Sequence, residues 1–169
     1  MKLFLTTAAT LVALGALAAG VGKTVFGSGG LVGLDGHVDG GPTAVRIDVQ
    51  EGRSTGHILM AGEQHADESE HRMRGPALYP ELHISATRIR SVKLADKKAS
   101  IEAVGRYVSG AGDLTDETVL LKVEVQDGRG KKGEDYVRLA CYRIPSGEKL
   151  FEREGLITTG DIKIGGGKS

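Results

Sequence analysis

The constraint that weighs most on this chain is an alternation of period two that returns in segment after segment. Val119, Leu121, Val123 and Val125 fall on one side of an extended chain, with Lys122, Glu124 and Gln126 on the other. Val45, Ile47 and Val49 alternate with Arg46, Asp48 and Gln50, and Leu82, Ile84 and Ala86 with His83, Ser85 and Thr87. Val137, Leu139 and Cys141 oppose Arg138 and Tyr142, and Ile162 and Ile164 flank Lys163. Successive side chains of a strand point to opposite faces, so each segment reads as a strand with one face in a core and one in water. Turn signals separate them: Glu51-Gly52, Asp96-Lys97, Asp113 to Asp116, and Pro145-Ser146-Gly147. Strands spaced in this way predict an all-β fold, an antiparallel β-sandwich or partly open barrel of about 7–9 short strands. Glu63 to Met73 is too poor in apolar residues for an amphipathic helix and reads as a loop between Gly62 and Gly75.

The first residues, MKLFLTTAATLVALGALAAG, have a different character. Lys2 is a short positive region, Leu3 to Ala19 is uncharged, and Ala16-Leu17-Ala18 fits the small-x-small rule for signal peptidase. Residues 1–18 are expected to be a signal peptide cut before Ala19, which sends the protein to the periplasm, the cell surface or the medium. The stretch is rich in Ala, Gly and Thr rather than Leu and Ile, so it would anchor poorly in a bilayer. No membrane span is expected after cleavage. Residues 19–41 are Gly-dense without sustained periodicity and read as a flexible tether, followed by a domain over 42–164 and a flexible tail over 165–169. The apolar Val21, Val25 and Phe26 in the tether could add as a strand to a neighbour's sheet, which would give self-association or a cell-envelope partner.

The chain has 22 basic and 22 acidic residues, and loss of Lys2 leaves 21 against 22. That balance argues against nucleic acid and against an electrostatic grip on a membrane. A single cysteine excludes a disulfide framework, and Cys141 reads as a small buried apolar side chain. There is no Asn, so turns rely on Gly and Asp.

Gly128, Gly130 and Gly133 in DGRGKKGED spell G-x-G-x-x-G, a pattern shared with dinucleotide-binding loops. Such a loop needs a helix after it, whose N-terminus faces the pyrophosphate. Here VLLKVEVQ precedes and YVRLACY follows, both alternating as strands, so the glycines read as a hairpin and no nucleotide is expected.

The same hairpin carries a family resemblance. Asp127-Gly128, Gly133, Asp135-Tyr136 with alternation to Tyr142, Gly147, and then Gly160-Asp161-Ile162-Lys163-Ile164 resemble the closing half of the post-COAP domain. Upstream, LHISATRIRSVKLADKKASIEAVGR resembles the middle strands of that module, and the similarity covers about Gly56 to Ile164. The family's Glu-Pro pair is missing from the turn after Asp127. Asp161 stands where the family has Asn, and Gly165 where it has His. The resemblance implies a small all-β fold and an extracellular setting, and brings no catalytic residues with it.

Chemistry-bearing residues are few. His65 and His71 lie among Glu63, Asp67, Glu68 and Glu70, and His57 and His83, on predicted strands, could approach them. Imidazole and carboxylate suit zinc, so these four histidines form a candidate metal set, although no H-E-x-x-H spacing fixes a geometry. Asp127, Glu134 and Asp135 are a candidate calcium cluster, opposed by Lys131 and Lys132. The other reading of Asp127 and Asp135 is that they cap the hairpin by accepting backbone N–H bonds. No cofactor is expected beyond zinc or calcium at these loops. Ser146 to Lys149 spells S-x-x-K inside a turn, and Asp48, Glu81 and Glu102 have no spacing that pairs them. Four Tyr, three Phe and no Trp offer little for sugar stacking; Tyr107, Tyr136 and Tyr142 read as cross-strand packing residues. The function expected is an exported, non-enzymatic surface or extracellular module with a structural or accessory role. The alternative is a module that binds a divalent metal or a glycan through residues 62–71. A small secreted hydrolase would need His57, His65 or His71 to meet a carboxylate and a serine.

Overall fold

The computed structural model describes residues 22–32, 43–63, 81–109, 115–128 and 134–166. Eight strands follow in chain order: β1 (Lys23–Val32), β2 (Thr43–Gln50), β3 (Thr55–Glu63), β4 (Glu81–Ala95), β5 (Lys98–Ser109), β6 (Thr115–Gln126), β7 (Asp135–Arg143) and β8 (Lys149–Gly166). Each pairs antiparallel with the next, and β8 returns to pair with β1, so the sheet is a closed barrel. The fold is all-β, as the alternation requires. Closure takes the place of the open edges of a sandwich or partly open barrel.

Closure depends on β1, which comes from the segment read as a tether. Its inward positions are Val25, Gly27, Gly29 and Leu31, so the apolar signal appears only at the two ends and glycine hides it between. The glycines answer to the seam with β8. A Cβ on Gly27 would lie 2.0 Å from the carbonyl oxygen of Asp161, and one on Gly160 would lie 2.1 Å from that of Ser28. Gly160 also has φ of 107°, a conformation that side chains disfavour. The backbones of β1 and β8 therefore approach at two points where only glycine fits. The predicted tail is shortened for the same reason, because Gly165 and Gly166 pair with Thr24 and Lys23.

β8 is the longest strand and serves two neighbours. Lys149 to Ile157 pairs with β7, and Leu156 to Gly166 pairs with β1. Past Ile157 the strand has outrun the start of β7, and the Asp135 carboxylate takes the vacant place. One of its oxygens accepts from the N–H of Ile162 at 2.6 Å and the other from the N–H of Gly128 at 3.0 Å. Asp135 is 4% exposed, so these two bonds replace the water that a buried carboxylate would otherwise lack.

The interior is filled. Val25, Val45, Ile47, Val49, Ile58, Met60, Leu82, Ile84, Ile101, Leu121, Leu139 and Ile162 are each at most 2% exposed. An eight-stranded barrel is just wide enough for side chains to fill it, and these aliphatics do so. Tyr107 and Tyr136 are buried as packing residues, and Tyr107 lies 6.0 Å from Phe151 between ring centroids. Outward positions are polar or charged instead: Arg46 on β2, His83 and Arg90 on β4, Lys122 and Glu124 on β6. Apolar inside and charged outside reverses the faces of a membrane-spanning barrel. Among the described residues no helix is long and apolar enough to cross a membrane.

Candidate functional site

Among the described residues, those predicted from sequence do not converge. His65 and His71 lie outside the described residues, as does the segment 1–18 expected to be a signal peptide. His57 on β3 and His83 on β4 both point into solvent from the outer wall. His83 pairs with Ala61, four residues along β3 from His57. At a strand rise of about 3.3 Å per residue this sets the two histidines roughly 13 Å apart, too far to share an ion. Among the described residues no group of three or more His, Cys, Asp or Glu could hold a metal.

The calcium reading meets a specific obstacle in Asp135. Both of its oxygens are engaged by backbone N–H groups, the capping role foreseen for the hairpin. The G-x-G-x-x-G motif starts in that hairpin: Gly128 has φ of 65°, with β6 before it and β7 after it. Among the described residues the next element is strand β7, not a helix that could face a phosphate. Cys141 is buried in the core, and burial pushes its thiol up to about 12, so it stays protonated and a poor nucleophile. Ser146 sits in the β7–β8 turn, where its hydroxyl accepts from the N–H of Glu148 at 3.3 Å. Asp48, Glu81 and Glu102 stand on three different strands, β2, β4 and β5.

The outer wall is more informative. On β5 to β8 four basic side chains are tied to carboxylates. Arg143 grips Glu117 through two bonds of 2.7 Å and also pairs with Glu148. Arg138 reaches Glu152 at 2.7 Å, Lys149 reaches the same carboxylate at 2.5 Å, and Arg106 pairs with Asp116. These partners hold the carboxyls of Glu117, Glu152 and Asp116 below their ordinary range, the hydrogen bond from the cation being the largest cause in each case. Lys122 lies over the ring of Tyr142, 5.2 Å from its centroid.

The seam of β8, β1 and β2 differs. Phe26 projects from β1 with 51% of its surface exposed, although Val25 beside it is buried in the core. It lies in a depression of about 520 Å3 formed with Gly27, Ser28, Arg46, Gly160, Asp161 and Lys163. Strand register arranges the wall as two rows. Lys163, Phe26 and Asp48 stand side by side across β8, β1 and β2, with Asp161, Ser28 and Arg46 as the next row. Strands lie about 4.8 Å apart and same-face residues about 6.6 Å apart, so the grid covers roughly 10 by 7 Å. Lys163 and Asp161 approach to 3.3 Å, both well exposed. Arg46 and Asp48 make no side-chain hydrogen bond or ion pair among the described residues. A second depression of about 350 Å3, lined by Asp48, Gln50, Arg53, Thr55, His57 and Thr87, lies on the adjoining wall of β2 to β4.

Sequence reasoning missed the Phe26 grid because it read residues 19–41 as tether and saw few aromatics. The available signal was the spacing of Val25 and Leu31, six residues apart and so on one face of a strand, which places Phe26 on the other.

Comparisons with protein families, with curated proteins and with solved structures found nothing that matches the chain.

Proposed function

We propose that this protein is an exported, non-enzymatic module of the cell surface or extracellular space, and that it acts through the outer wall of its barrel. The observation that carries this reading is the filled interior. Twelve large side chains at most 2% exposed occupy the space that a carrier barrel leaves for its ligand. Whatever the protein meets, it meets on the outside. The uncharged segment after Lys2 and the A-L-A site support export, as does the resemblance to a module of secreted proteins. A lone thiol pushed up to about 12 suits an oxidising compartment, because it will not cross-link chains. The scatter of the described histidines, acids and Ser146 supports a role without catalysis.

The test is fractionation of cells expressing the full chain with a C-terminal tag, followed by N-terminal sequencing. A chain beginning at Ala19, outside the cytoplasm, is the expected result. A chain that keeps Met1 and stays in the cytoplasm sinks the proposal.

A further inference from the structure

We propose that the β8–β1–β2 seam is a saccharide-binding site in which Phe26 stacks on a pyranose ring of a neutral glycan. This deepens the reading of an exported module that works through its outer wall, and rests on it.

The argument starts from the mixture of groups. A pyranose has an apolar face of C–H groups and a rim of hydroxyls that both donate and accept. Phe26 offers an exposed aromatic face. Around it Arg46 and Lys163 can only donate, Asp48 and Asp161 can only accept, and Ser28 can do both. Two positive and two negative groups leave the grid without net charge. A phosphate or a polyanion would call for a positive surplus, and a metal ion for a negative one. Neutral hydroxyls are the ligand that uses all of these groups together. The footprint of roughly 10 by 7 Å has room for one or two sugar rings.

The platform is also stiff. Phe26, Ser28, Arg46, Asp48, Asp161 and Lys163 all stand on strands of one closed sheet, so their spacing is set by the hydrogen-bond ladder rather than by loops. The seam beneath them is held by the two glycine contacts at Gly27 and Gly160, which leave bare backbone as the floor of the depression. Arg46 and Asp48 keep their hydrogen-bonding capacity free of partners among the described residues, whereas Arg106, Arg138 and Arg143 have theirs occupied. Phe26 stands outside the buried core cluster, with about half of its surface open.

The test is a titration of the protein, purified after expression of the full chain, with cellotetraose, chitotetraose, xylotetraose and maltotetraose, followed by NMR shifts and calorimetry. At least one neutral tetrasaccharide should bind in the micromolar to millimolar range. Phe26→Ala should weaken it about tenfold and Phe26→Trp should retain it, both with an unchanged melting point, since a stacked ring is worth about one factor of ten. Arg46→Ala and Asp48→Ala should also weaken binding. Binding of none of the four sugars at millimolar concentration overturns the proposal. So does binding only to polygalacturonate, lost in salt and indifferent to Phe26→Ala, which would be a charge effect. A dimer in sedimentation that Phe26→Ala dissolves also overturns it, because the ring would then serve a second copy. These failures leave the export reading untouched, and export is judged by fractionation alone.

Discussion

The two halves of β8 belong to different surfaces. Its first half, with β5, β6 and β7, makes a wall in which Arg106, Arg138, Arg143 and Lys149 are each tied to a carboxylate. Its second half, with β1 and β2, makes a wall with one loose pair, an exposed ring, and Arg46 and Asp48 without a side-chain partner among the described residues. The first wall satisfies itself. Many of its charges neutralise one another in place, which leaves less hydrogen-bonding capacity open. The second leaves donors, acceptors and apolar area open side by side. The outward side chains of neither wall hold the barrel together, since half-exposed ion pairs contribute little and the aliphatic interior contributes most. What the walls differ in is the capacity to recruit something from outside.

The comparison can be broken most severely at the seam. Gly160→Val puts a Cβ 2.1 Å from a backbone oxygen at φ of 107°, and should destabilise the protein by about 3 kcal/mol or more, or prevent closure. An unchanged urea midpoint would show that the second wall does not depend on this contact. Asp135→Ala comes next. It leaves the N–H groups of Gly128 and Ile162 without their acceptor and should cost about 2–3 kcal/mol, with faster amide exchange at both residues. Slow exchange at Ile162 in that variant would deny the carboxylate its role in carrying β8 past the end of β7.

Acid should separate the two walls by a smaller amount. The carboxyls of Asp116, Glu117 and Glu152 have folded pKa values below the ordinary 3.8 and 4.5. Their contribution to stability is therefore fully present above about pH 4.5 and is lost as pH falls through the lowered folded values. A melting point that declines there in low salt, and less steeply in Arg143→Ala, is the expected outcome; identical acid profiles would mean that the ion pairs contribute nothing. Smallest of all is the effect of Phe26→Ala or Arg46→Ala on stability, within about 0.5 kcal/mol by urea denaturation. A larger loss from Phe26→Ala would show the ring to be a folding element rather than a surface one.

Strands β2, β4, β6, β7 and the end of β8 could be read from sequence because runs of their inward positions hold Val, Ile, Leu, Ala or Cys at every second residue. β1 could not, because closure of the barrel put glycine where the alternation would have shown. The same glycines disguised Phe26 as part of a linker. A requirement for close backbone approach looks, in a single sequence, like flexibility. The capping role of Asp135 was legible from its place beside a Gly turn, but its second bond, to Ile162, was not. That bond joins residues 27 apart in the chain and exists only because β8 outruns β7. The ion pairs of β5 to β8 were equally hidden, since Glu117 and Arg143 meet only through strand register.

Lys23 and Gly166 pair with each other, so the described chain enters and leaves the barrel at one point on its rim. A unit whose two ends emerge together can be spliced into a surface loop of another protein without stretching either partner. It can also be strung in series, with each copy hanging from the strand of linkers like a bead from a cord. The seam that closes the barrel thereby makes the fold portable.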